Sequence, residues 1–185
     1  MLAVVGAAVL SLSFVGGVAA QPPVKEQIHE EFSEVFEDFC EVEGLTVRQD
    51  VVFDSRLQWN ARKRDRLAYF MENVRVSSTF TVLPAEDRWV TVVETTLFKD
   101  LKVTDNGDGT LTVLVLATGN LVTYDQSGKA IARNPGQVRF EVLIGDGGTP
   151  QDPSDDEFLE FLGNVKGSTG RNDDFCAAAV PALTG

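Results

Sequence analysis

Residues 89–144 constrain the fold more tightly than any other part of the chain. They read Trp89-Val-Thr-Val-Val-Glu-Thr-Thr-Leu-Phe98, then Leu101-Lys-Val-Thr104, then Leu111-Thr-Val-Leu-Val-Leu116, and close on Val138-Arg-Phe-Glu-Val-Leu-Ile144. Runs of β-branched and aromatic residues, cut by Gly, Asn and Asp, mark a meander of antiparallel strands. Asp105-Asn-Gly-Asp-Gly109 supplies residues that tolerate positive φ, so it predicts a hairpin. Tyr124-Asp-Gln-Ser-Gly128 predicts a second turn, and Asn134-Pro-Gly136 a third.

Upstream the period is two. Leu45, Val47, Val51, Phe53, Leu57 and Trp59 are odd-numbered, against the even Thr46, Arg48, Asp50, Asp54 and Arg56. One face is therefore apolar and the other wet. Asp54-Ser55 predicts a bend in this ribbon, and Arg62-Lys-Arg-Asp-Arg66 a charged turn. The next strand carries Phe70, Val74, Val76, Phe80 and Val82 on one face, and Pro84-Ala-Glu-Asp87 turns the chain again. The segment 27–40 admits two readings. Ile28, Phe32, Phe36 and Cys40 recur every fourth residue, as on a helix, yet Ile28, Phe32 and Phe36 also share strand parity. A strand is preferred, because it brings the count to about eight and lets the sheet close on itself, removing its edges.

The C-terminal part changes character. Asp152 can cap a helix, Pro153 suits its first position, and Asp155, Asp156 and Glu157 complement its dipole. Phe158, Leu159, Phe161 and Leu162 would form its apolar face, with Gly163 as the stop. A second short helix is expected from Asn172-Asp-Asp, holding Cys176 and ended by Pro181. The predicted fold is thus mainly β: a single antiparallel β-barrel of about eight strands with two short C-terminal helices.

Residues 1–20 carry no charged side chain and end in Val18-Ala19-Ala20, small residues where a signal peptidase reads. They read as a signal peptide, with residues 21–27 as a linker and 28–185 as the folded domain. The alternative is a retained membrane anchor, for which so short an apolar run is at the lower limit. Export places the protein in a secreted, extracellular setting. There the isolated pair Cys40 and Cys176 is expected to form a disulfide. The net charge of −12 falls entirely after Ala20 and argues against nucleic acid and anionic membranes as partners. A monomer is expected, with no stable membrane insertion after signal removal.

Several chemistries lack their residues. His29 is the single histidine, so neither a Ser-His-Asp arrangement nor a His/Cys zinc site is supported. No phosphate-loop motif occurs, and Asp105–Thr110 lacks both the first acid and the terminal Glu of a calcium loop. No cofactor and no metal are expected. What remains is polar residues that share a face with apolar ones. Glu72 has the parity of Phe70, Val74 and Val76, and Glu94 that of Val90, Val92 and Phe98. Either could be a carboxylate inside an apolar cavity, orienting a ligand or moving a proton.

The segments Lys99–Asn120, Asn134–Glu141, Gly147–Phe158 and Gly167–Arg171 together resemble a family of short secreted actinobacterial proteins of unknown function. The resemblance spans residues 39–180 and implies export and one β-rich domain. It brings no activity and no catalytic residues. Any likeness to lipocalins or to allene oxide cyclase barrels is architectural, and neither Trp59 nor Trp89 has the glycine two positions earlier that lipocalins carry.

These readings lead to a binding protein for a small apolar or amphipathic molecule, with Phe70, Glu72, Phe80, Trp89 and Phe140 as ligand-binding residues. The alternatives are a cofactor-independent isomerase or cyclase using Glu72 or Glu94 with Tyr69 or Tyr124, and an envelope-associated module acting through Arg62–Arg66 with a filled barrel.

Overall fold

The computed structural model describes residues 24–61, 67–150 and 152–185. The expected signal peptide and the basic turn at residues 62–66 lie outside the described residues. Seven strands form one antiparallel meander in chain order: β1 (Val24–Phe36), β2 (Val47–Ala61), β3 (Ala68–Val82), β4 (Trp89–Asp105), β5 (Thr110–Tyr124), β6 (Ala130–Gly145) and β7 (Glu157–Thr169). One helix, α1 (Phe175–Thr184), follows. The ambiguous N-terminal segment is a strand, and it begins at Val24, inside the stretch expected to be linker.

The sheet has seven strands rather than about eight, and β1 and β7 do not pair among the described residues. Antiparallel neighbours alternate in direction, so in a seven-strand meander the first and last strands run the same way. Closing this sheet would require a parallel β1–β7 ladder, against the pattern of every other pair.

The two glycine-bearing turns are where the sequence places them. Between β4 and β5, Gly107 and Gly109 adopt φ of 78° and 84°, and the Asp105 and Asp108 carboxylates accept from the Gly107 and Thr110 amides. Between β5 and β6, Gly128 has φ 79° and Asp125 accepts from the Ser127 and Lys129 amides. Asn134-Pro-Gly136 is not a turn. It continues β6, with Asn120 opposite Pro135 and Gly119 opposite Gly136. Proline is tolerated because the β6–β7 ladder ends at Gln137–Thr169, so no ladder hydrogen bond to β7 is lost at Pro135. Asp54-Ser55 likewise makes no bend and lies within β2.

The first predicted C-terminal helix is the clearest correction. Asp152 caps as expected, its side chain accepting from the Ser154 amide, and Pro153 starts a turn, but that 3-10 turn stops at Asp155. The apolar run then pairs with β6 as β7, through four register shifts. Without β7 the outer edge of β6 would present unpaired backbone groups along residues 137–145. The second predicted helix exists as α1, capped by Asp174, and runs through Pro181 to Thr184 instead of ending there.

Buried side chains gather in two clusters at opposite ends of the strands. One joins Leu67, Val103, Leu111, Val113, Val115 and Val142. The other joins Leu45, Val47 and Val90 to Ala179 and Leu183 of α1. At this second end Phe80 stacks on Phe39 and on Phe175, each at 5.4 Å between ring centroids, and the Cys40–Cys176 disulfide fastens α1 in place. The disulfide expected from the isolated cysteine pair is therefore present.

Candidate functional site

The end without the helix holds the candidate site. Strand register sets Glu72 beside Phe98, and Asp100 beside Val115, which in turn neighbours Phe140. These side chains fall on the inner face for the reason read from sequence: period-two alternation puts Phe70 and Glu72 on one side, and Phe98 and Asp100 on one side. Together with Val113, Val142, Ile144 and Phe158 they line a cavity of about 370 Å³. Pro153 and Asp156, from the 3-10 turn before β7 and its C-terminal boundary, complete one wall. Phe158 is 62% exposed and stands at the edge of the cavity.

The walls are apolar, yet three carboxyl groups converge on them. Glu72 accepts a 2.6 Å hydrogen bond from the Ser55 hydroxyl, and Ser55 is itself buried on β2. Asp100 is buried and accepts from the Phe70 amide at 2.9 Å. Burial pushes its carboxyl up to about 6, the Phe70 amide opposes that, and the neighbouring Asp156 adds to it. Asp156 is also raised to about 6, by desolvation first and then by the acids Asp155, Asp146 and Asp152 around it. Its Oδ1 is buried without a hydrogen-bond partner in the protein. A buried acceptor left unpaired at a cavity wall is a position where a ligand donor would be stabilised.

Among the sequence-derived candidates, Phe70, Glu72 and Phe140 are brought together here. Phe80 is at the opposite end, inside the ring stack beneath α1. Trp89 is the first residue of β4 and is 39% exposed. Glu94 accepts from the Thr96 hydroxyl and faces a different hollow, shared with Asn120 and Asn134. Tyr69 packs beside the cavity cluster, whereas Tyr124 ends β5 at the far end of the strand.

Asp100 is not singled out by sequence reasoning, and Asp156 reads there only as a helix-start acid. For Asp100 the signal was present: it continues the even series Val90, Val92, Glu94, Thr96 and Phe98. The bulge between Asp100 and Lys102 hides it, because beyond it the buried residue is the odd Val103. Asp156 carried no such signal, since its acids read as helix-start residues.

A larger hollow, about 710 Å³, lies over the middle of the sheet among charged and polar residues such as His29, Asp54, Arg56 and Arg75. His29 is exposed, hydrogen-bonds Asp54 at 2.8 Å, and is held above its usual range by that contact. Among the described residues no group of three or more His, Cys, Asp or Glu is placed to hold a metal ion, and no helix is long and apolar enough to cross a membrane. No family model, no curated protein and no solved structure matches the chain.

Proposed function

We propose that this protein is a secreted binding protein for one small amphipathic molecule, held in the cavity between β3 and β6. The apolar body of the ligand would lie against Phe70, Phe98 and Phe140. Its polar end would carry a hydrogen-bond donor and meet Asp100 and Asp156. The observation that carries this reading is the coincidence of apolar walls with convergent carboxyls, one of which has an unpaired buried oxygen. Few, well-placed polar groups in an apolar hollow of a few hundred Å³ are the usual make-up of a small-molecule site. The disulfide supports export, since such bonds persist in oxidising compartments.

Native mass spectrometry of protein secreted by a host and purified gently tests the reading. An added mass that is lost on denaturation, and lost again in a Phe98→Ala variant, is the expected result. A bare chain whose melting midpoint is unmoved by both n-decylamine and n-decanol would sink it.

Asp100 favours a second reading. A carboxyl in an apolar wall that titrates near 6 is suited to passing a proton to or from a bound substrate. In that case Asp100→Asn should keep the ligand and abolish turnover. In pure binding, no turnover exists to lose.

A further inference from the structure

We infer that β7 is the docking edge for a second copy of this chain, and that two copies join their sheets antiparallel about a two-fold axis at Gly163. The strand has one partner, β6, and its other edge is free among the described residues. Phe158, Leu159, Phe161, Leu162 and Val165 are 45% to 62% exposed, so both faces of β7 are apolar and largely uncovered. An apolar, unpaired edge is a template for another strand, and the four register shifts of β7 against β6 weaken that template without closing it.

The sequence of β7 selects its own copy as that strand. A two-fold antiparallel ladder alternates its two kinds of residue pair, so the axis must pass through a residue and not between two. With the axis at Gly163, Glu160 of each copy stands opposite Lys166 of the other, and Phe161 opposite Val165. Opposite charges and apolar pairs directly across a ladder are both favourable. Moving the axis by one residue sets Lys166 against Phe158 or Leu162 and removes the charge match. Within the chain Lys166 gains nothing comparable: its neighbour on β6 is Arg139, a like charge, and neither Glu160 nor Lys166 makes an ion pair or side-chain hydrogen bond among the described residues.

The other edge is more acidic, although its Phe32, Val35 and Phe36 are exposed as well. β1 carries Glu26, Glu30, Glu31 and Glu34 against a single Lys25. Two such strands repel, as charged edges do. Pairing through β7 therefore leaves β1 at each outer margin, where the like charges of its glutamates oppose further addition, so assembly stops at two.

Sedimentation velocity of the mature secreted protein, over about 1–100 µM, reads the result. Wild type is expected to be a dimer, with Lys166→Glu and Glu160→Lys each weakening it by roughly tenfold or more. The double variant Glu160→Lys/Lys166→Glu restores the pairing with signs exchanged and should recover the dimer. Because it contains both substitutions, its recovery also shows that neither harms the fold. Three results would overturn the inference: a monomer at every concentration, a dimer indifferent to the single reversals, or a double variant that stays monomeric. Species growing beyond the dimer would overturn it too, pointing to head-to-tail β1–β7 joining.

Discussion

At one end of the sheet α1 drives Ala179 and Leu183 against Val47 and Val90, and three phenylalanine rings close over them. At the other end β3 to β6 carry the same alternation of apolar and polar residues, but no helix covers it among the described residues, and the space is an apolar cavity with carboxyls in its walls. The strands are continuous between the two ends. The difference lies in what the chain does outside the meander. Alternation decides which face turns inward, and a segment beyond the sheet decides whether that face is filled.

The most severe way to break the comparison is to unfasten the filled end. Replacing Cys40 and Cys176 together by Ala should cost about 3–5 kcal/mol in denaturant unfolding, because the bond spans 136 residues. Leu183→Ala strikes the same end by deleting a side chain that is 1% exposed, and about 3 kcal/mol should be lost. The matched change at the open end, Phe140→Ala, should cost less, about 1–2 kcal/mol, since that ring is only partly buried and already borders a hollow. Equal losses at both ends would show that the cavity is filled in solution.

Protonation sharpens the contrast. Below about pH 4 Asp100 is protonated whether the chain is folded or not, and it costs nothing. As pH rises from about 4 to about 6 the unfolded carboxyl ionises while the folded one keeps its proton, so stability falls. Above that window the full cost applies, about 3 kcal/mol. Asp100→Asn keeps an acceptor for the Phe70 amide and removes the charge. It should therefore raise stability at about pH 7 and leave it nearly unchanged at about pH 4, as thermal melts at the two values would show. A variant equally stabilised at both would mean that ionisation is not what the site pays for. The smallest effect is expected at His29→Gln. That contact is solvent-exposed, and the melting midpoint should not move.

Much of the fold was legible because it rests on local chemistry. Period two gave the strands, and Asp, Asn and Gly at fixed offsets gave the hairpins after Asp105 and Tyr124. The errors arose where the long-range context outweighed the local signal. Phe158, Leu159, Phe161 and Leu162 have helical spacing, but the open edge of β6 needed a strand. Asn134-Pro-Gly136 has turn composition, but it lies beyond the end of the β6–β7 ladder, where proline removes no ladder hydrogen bond to β7. The site was half legible. Phe70, Glu72 and Phe140 follow from parity, whereas Asp156 reaches the cavity only because the chain folds a turn back over its edge. Phe80 shares the parity of Phe70 but sits under α1, a separation that period alone does not reveal.

The Cys40–Cys176 bond turns β2 to β7 into a covalent ring, with β1 as a tail outside it. A single proteolytic cut anywhere inside that ring yields one molecule of two chains joined by the disulfide, heavier by one water, with new termini and every strand still attached. Such a nick would pass unnoticed on a non-reducing gel. A cut between β1 and Cys40 is different in kind. It sheds a whole strand with its glutamates and uncovers the backbone of β2. The molecule is thus tolerant of damage within the ring and exposed to damage just before it, and reduction after limited proteolysis would tell the two apart.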